Sequence, residues 1–366
     1  MTGTMTESGT EISVDIRTPS PRNGPDQALE RVLAAGRRRA GAIDPHHALL
    51  WESLVRAAAG GKRFRPALLV ATHDALGGTA PGPAAEVAAA VELLHTAFVV
   101  HDDVIDADHV RRGRPNVSGT FRALARVDGA GAAGVDGYGL TAGVLAGDLA
   151  IAAAVRTVAT CGAERGVVEH LLDLFDAALH ATAAGELADV RLALGVSQAS
   201  LAQSVEMEAL KTGAYSFSLP LQAGAVLAGA DASTVERLGR AGRAMGVAFQ
   251  LADDLIGVFG DPARSGKSAT CDLRTGKQTP LMVHARETLQ WGRISSYLGR
   301  QLRDDELDEV RALLVESGSR DFVEDLADHY LEEARSVLRS AGLPVEILDR
   351  VSTRPLTAGD DGEVAA

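Results

Sequence analysis

Aromatic side chains make up only 4% of the 366 residues, with two tryptophans and four tyrosines. A core built on so few rings rests on alanine and aliphatic side chains, and abundant alanine, leucine, glutamate and arginine favour helix over sheet. Cysteine is nearly absent. Cys161 and Cys271 stand far apart and in no metal-ligand spacing, which argues against a disulfide framework and a thiolate metal site. Reduced thiols in a cytoplasmic protein are the expectation. Basic residues are outnumbered, 36 against 49 acidic, for a net charge of −13. Nucleic acid is therefore not an expected partner, although a local basic site stays open. The N-terminal stretch "MTGTMTESGTEISVDIRTPSPRNGP" lacks a basic start followed by an apolar run, so no secretory signal is read. No uninterrupted apolar run reaches the roughly 20 residues of a membrane span. The best candidate, "LTAGVLAGDLAIAAAV", is broken by Asp148, so no transmembrane segment is expected.

What the chain does contain is helical periodicity, which runs from Pro25 to Arg350 and is interrupted by short polar breaks. Residues 1–25 are polar and rich in Ser, Thr, Gly and Pro, a composition expected to be disordered. One folded domain is expected over 26–352, with a flexible tail over 353–366. Long helices are expected at 84–106, 140–162, 164–193, 200–230 and 231–260. Gly213 and Pro220 should break or kink the fourth of these. Residues 127–139 read as a glycine-rich connector and 260–280 as a long polar loop. The expectation is an all-α domain of ten or more helices.

Chemistry concentrates at helix ends. In "HDDVID" Asp102 and Asp106 are four apart and Asp103 and Asp106 three apart, so on a helix all three carboxylates project to one side. Crowded hard oxygen donors suit Mg²⁺, which takes a few carboxylates and completes its shell with water and phosphate oxygens. A second acidic pair, Asp253 and Asp254, also ends a long apolar segment, but the position one turn on is Gly257 rather than a third carboxylate. Two such clusters facing each other would suit a diphosphate bridging several metal ions. Cations accompany both clusters: Lys62 and Arg65 in "GGKRFRP", Arg111 and Arg112 in "RRGRP", Lys211 in "KTGAYS", and Lys267 and Lys277 in the long loop. Arginine forks and lysine point charges are what diphosphate oxygens require. "GDPARSGKS" imitates a phosphate-binding P-loop, but five residues separate Gly260 from Gly266 where four are needed, and it follows a helix instead of a strand.

Taken in order, "GGKRFRP", "HDDVID" with "RRGRP", "KTGAYS" and "FQLADDLIGVFGD" resemble the trans-isoprenyl diphosphate synthases, or polyprenyl synthetases, over about residues 30–350. The resemblance implies an antiparallel helix bundle around a central cavity, usually a homodimer. It implies Mg²⁺-dependent head-to-tail condensation of isopentenyl diphosphate with an allylic diphosphate, using two or three ions. It places Mg²⁺ on Asp102, Asp103, Asp106 and Asp253, with Asp254 close by. Arg111, Lys211 and Lys267 would hold the allylic diphosphate, with Lys277 also on the substrate side. Gly61, Lys62, Arg65, His95 and Arg112 would hold isopentenyl diphosphate, and Thr212 and Gln250 would steady the allylic cation with oxygen dipoles. Ala97 and Phe98, five and four positions before Asp102, would set product length. One small and one bulky residue there imply C20, with C15 close behind. A class I terpene cyclase and a non-catalytic subunit of a heteromeric synthase are the alternatives. The Asp253-Asp254 pair and "GGKRFRP" speak against the first, and the intact first motif and basic residues against the second.

Overall fold

The computed structural model describes residues 24–196, 198–260, 273–274, 276–343 and 345. The expectations for residues 1–23, for Lys267 and for the tail from 346 lie outside that set. The described chain is helical apart from one hairpin of two residues per strand.

Helices α1 (Pro25–Gly41), α2 (Pro45–Ala58) and α3 (Phe64–Ala75) lead into α4 (Pro81–Ile105). Several starts carry a local cause. Asp44 accepts from the backbone N–H of His46 and His47 at 2.8 and 3.1 Å, with Pro45 in the first turn of α2. Pro81 likewise opens α4, whose interior contains neither glycine nor proline after Pro83. α4 is the central helix. Its run from Val87 to Leu94 is buried throughout, and it packs against α1, α3 and α6. Burying Leu93 and Leu94 completely contributes about 1.5–3 kcal/mol each. The helix stops where Ala107 adopts a left-handed φ of 55°.

The strands Val110–Arg111 and Arg114–Pro115 form the hairpin, and α5 (Val117–Val127) follows, capped by Asn116. α6 (Ala132–Ala159) begins eight residues before the helix expected at 140, so most of the glycine-rich connector is helical. α7 (Arg165–Ala193) and α8 (Leu201–Glu208) come next. Between α8 and α9 (Leu219–Leu227) the chain winds as a π-helix over Ala209–Ser218. The expected break near Gly213 and Pro220 is thus a change of winding in a continuous rod. The π segment lies on α10 (Ala232–Phe259) at a contact only glycine permits. A Cβ on Gly246 would fall 2.2 Å from the Gly213 Cα. Beyond α10, a second core joins its end to the helices Asp304–Glu316 and Ser319–Ser340.

By length and composition alone α4 and α6 are each apolar enough to cross a membrane, a test that a buried core helix also passes. The apolar window of α4 is 72% buried inside the fold, whereas that of α6 is 39% buried. The aspartate that interrupts α6, Asp148, does not reduce its hydropathy enough to exclude it.

Candidate active site

The C-terminal end of α4 meets the hairpin, the end of α7 and the π segment. At their junction stands Lys211. Its Nζ donates to Asp189 at 2.7 Å and pairs with Glu186 at 2.9 Å and Asp102 at 3.4 Å. Glu186 and Asp189 lie one turn apart on α7. The approach of that helix depends on Gly185, where a Cβ would come within 2.2 Å of the Lys211 backbone nitrogen. Burial alone would lower the Lys211 pKa, but Asp189, Asp102 and Glu186 outweigh it and hold the ammonium well above its ordinary value. Lys211 is therefore a fixed cation. Burial raises the pKa of Glu186, with Lys211 opposing the shift.

Arg111 projects from the hairpin onto the first aspartate motif. Its Nε and Nη2 reach Asp103 at 2.9 and 2.8 Å, and Nη2 lies 3.7 Å from Asp102. Asp103 is buried, and burial raises its pKa against the pull of Arg111. Asp106 sits at the end of α4, where its N–H donates to the Asp102 carbonyl at 2.8 Å, so the helical spacing of the motif persists through it. Burial raises its pKa first and Asp102 second, while Lys277 and Lys211 oppose. Lys277 is thereby placed electrostatically at the first motif.

From α10, Gln250 accepts from the Thr212 hydroxyl at 3.0 Å and donates to Asp254 at 3.1 Å. Asp254 is buried, whereas Asp253 is half-buried. Beneath Asp254 lies Glu208, fully enclosed. Burial first, and Asp254 second, push its pKa well above the ordinary carboxyl value. Burial beside Asp254 therefore favours the neutral form of Glu208. Gly257, one turn beyond Asp253, adds no donor.

A second cationic group lies around His95. Its Nδ1 meets the Tyr215 hydroxyl at 3.2 Å. Burial, then Arg65, Arg111, Arg112 and Arg63, drive the His95 pKa well below normal, so the imidazole is neutral. Arg65 donates to the Ser216 hydroxyl at 3.0 Å and stacks over the Tyr215 ring at 5.2 Å. Arg112 donates to the Ala59 carbonyl at 3.2 Å. It lies against Gly60 and Gly61, whose φ angles of 80° and 81° form the tight loop before Lys62. Ala97 is 0% exposed and belongs to the main core, whereas Phe98 is half-buried and meets Tyr215 edge to face at 4.8 Å. Phe98 also packs against that core.

The sequence reading missed Glu186, Asp189, Tyr215 and Glu208. The i,i+3 carboxylates after Gly185 were the available signal for the first two. Among the described residues, no three His, Cys, Asp or Glu side chains form a ready metal cage. The donor set nevertheless fits Mg²⁺: hard carboxylate oxygens are crowded enough for Asp102 to raise the Asp106 pKa, and phosphate oxygens would complete the shell.

The sequence model of polyprenyl synthetases matches residues 48–314, well over half of the chain. The chain belongs to the polyprenyl synthetase family. It is 34% identical over 284 residues to a geranylfarnesyl diphosphate synthase of Aeropyrum pernix, covering 76% of this chain and 83% of that protein. It is 34% identical over 263 residues to a geranylgeranyl diphosphate synthase of Mycobacterium tuberculosis, covering 70% and 68%. A geranylgeranyl pyrophosphate synthase of Corynebacterium glutamicum, crystallised with isoprenyl diphosphate and magnesium, shares the fold with a TM-score of 0.80 at 26% identity, over 89% of this chain and 95% of that one. Membership makes the chain a prenyltransferase that elongates prenyl chains, and the likenesses support neither the cyclase nor the non-catalytic alternative.

Proposed function

We propose that the protein condenses isopentenyl diphosphate with an allylic diphosphate, releasing pyrophosphate and an all-trans prenyl diphosphate of C20, with C15 the nearest shorter product. The observation that carries this reading is that two sets of cations occur together, one at the aspartates and one beside aromatic side chains. Lys211 and Arg111 stand at the aspartates, while Arg65 lies over the Tyr215 ring, which His95 and Phe98 also touch. Two diphosphates held at those groups would bring an allylic carbon and a homoallylic double bond together.

Lys211 and Arg111 orient the allylic diphosphate, with Lys277 near the same charge. Lys62, Arg65, Arg112 and neutral His95 orient isopentenyl diphosphate. The Thr212 and Gln250 oxygens lie beside Lys211 and present dipoles to developing positive charge. As the allylic C–O bond breaks, its electrons leave with pyrophosphate. The isopentenyl double bond then supplies the new C–C bond, and loss of a proton restores an alkene. The departing pyrophosphate can take that proton, so the reaction requires no dedicated protein base. Bound Mg²⁺, as two or three ions on Asp102, Asp103, Asp106 and Asp253 with Asp254 behind, would neutralise diphosphate charge and improve the leaving group.

We also place the enzyme in the cytoplasm as a homodimer. Leu140, Val144 and Leu145 on α6 are 52%, 40% and 47% exposed, an apolar face that suits a second copy. Light scattering tests the dimer. The activity test is incubation with isopentenyl diphosphate, an allylic diphosphate and Mg²⁺, followed by chromatography of the dephosphorylated products. Elongated prenyl alcohols are expected. Cyclic hydrocarbon, or no product, would overturn the reading.

A further inference from the structure

We propose that Glu92, through Arg63, is a positioning residue for the isopentenyl diphosphate site. The inference rests on the reading above and adds a residue pair that touches neither substrate.

Glu92 is the one carboxylate of α4 between Val87 and Ala97, it follows five apolar residues, and it is 6% exposed. Such a group persists in a core only with a partner. Arg63 is that partner. Its Nη1 reaches Glu92 at 2.6 Å while its Nε holds Asp26, in the first turn of α1, at 2.9 Å. One guanidinium thus joins α1, α4 and the start of α3.

Arg63 sits in a strained place. Its φ is 49°, in the left-handed region, and it follows Gly60 and Gly61 at 80° and 81°. Glycine adopts that conformation freely, whereas a residue with a Cβ adopts it at a cost. Arg63 is also the residue before the first turn of α3, yet its side chain caps no backbone N–H there. The fork is spent on the two carboxylates instead. The bond to Glu92 therefore fixes a backbone turn with Lys62 directly before it and Arg65 two residues after it, the cations assigned to isopentenyl diphosphate. Glu92 also lies one turn before His95 on the same helix, so one buried carboxylate sets the register between the loop and the imidazole. Strain held in place by a buried charge pair beside a binding loop is a positioning device.

The test is steady-state kinetics on Glu92→Gln, Arg63→Ala and the double variant, with each substrate varied in turn beside the wild type. Glu92→Gln is expected to raise KM for isopentenyl diphosphate by roughly tenfold. The KM for the allylic substrate and kcat at saturation should stay within about twofold. Arg63→Ala should reproduce the effect, and the double variant should be no worse than either single one, because both remove the same link. Arg63 is partly exposed, so its variant remains informative if Glu92→Gln does not fold. An unchanged or lowered KM would overturn the inference, the lowered value marking Glu92 as a mere countercharge. So would a common loss in kcat and both KM values, which a purely structural pair would give. If the wild type itself shows no turnover of isopentenyl diphosphate, the functional reading fails. If the wild type is active and the variants match it, only the positioning role fails.

Discussion

Phe98 and Tyr215 meet edge to face with ring centroids 4.8 Å apart, and the same tyrosine ring stacks with His95 and lies under Arg65. The residue proposed to set product length is thus in contact with the residue that touches the isopentenyl site. Removing the Phe98 ring opens space one helical turn, about 5.4 Å, below Asp102. Burying a further isoprene unit there is favourable at about 25 cal/mol per Å² of apolar surface. Phe98→Ala is expected to shift the product from C20 toward C25 or longer, read by chromatography of the dephosphorylated alcohols. An unchanged product would place the floor on another helix. Ala97→Phe adds a ring at the neighbouring position. Ala97 is enclosed in the main core, so the added ring meets packed side chains and is expected to cost about 1–3 kcal/mol in stability.

The Lys211 cage is the second place where a specific change should be decisive. Asp189 is the nearest of its three carboxylates, at 2.7 Å. Asp189→Asn keeps shape and loses charge, freeing the ammonium to swing between Glu186 and Asp102. Turnover is expected to fall by about 10–100-fold, as when a residue supporting a catalytic ligand is lost. The effect should appear in kcat, with KM for isopentenyl diphosphate nearly unmoved. A change confined to that KM would detach Asp189 from the allylic half of the site.

How legible was this site? The aspartates of α4 were, because a strict i,i+3,i+4 spacing on a long apolar helix leaves one geometry. Helix α10 was too, from Asp231, whose side chain accepts from the Thr234 N–H at 2.7 Å, to Gly260. The start of α6 was not. Its glycines argue for a loop by propensity, but Gly139 is where the Arg122 side chain crosses, and a Cβ there would lie 2.4 Å from its Cγ. Packing overrode local preference. The hairpin bearing Arg111 has two-residue strands, too short to show alternation. Glu186 and Asp189 are two of several carboxylates along α7. Only the approach of the π segment singles them out, and that contact joins residues far apart in sequence.

The two acidic clusters have unequal surroundings. Asp102 bridges Lys211 and Arg111 directly, whereas in the second cluster Asp254 is buried against Gln250 and only Asp253 is half-exposed. Asp102→Ala and Asp253→Ala are each expected to lower turnover by roughly 10²–10³-fold with the fold intact by circular dichroism. Chelation of divalent metal should abolish turnover, and added Mg²⁺ should restore it in the wild type. Because Gly257 supplies no third carboxylate, Gly257→Asp is expected to lower the Mg²⁺ concentration needed for half-maximal rate. Near-normal turnover of either alanine variant would remove that aspartate from the metal assignment.

Glu208 gives the fold a pH dependence of its own. In the unfolded chain it titrates near its ordinary 4.5, while in the folded chain burial and then Asp254 push the value well above that. Between the two values the folded protein keeps a proton that the unfolded chain has lost. The stability from this neutral carboxyl is therefore full below about 4.5 and is lost as pH rises through the folded value. Glu208→Gln replaces it with a group that stays neutral at every pH. The variant is expected to gain about 2–4 °C in Tm relative to the wild type between pH 5 and pH 8.5, the gap widening as pH rises. Thermal melts of both proteins at the two pH values measure it. A gap that does not change with pH would mean that Glu208 binds its proton equally in both states, and would remove this carboxyl as a source of pH-dependent stability.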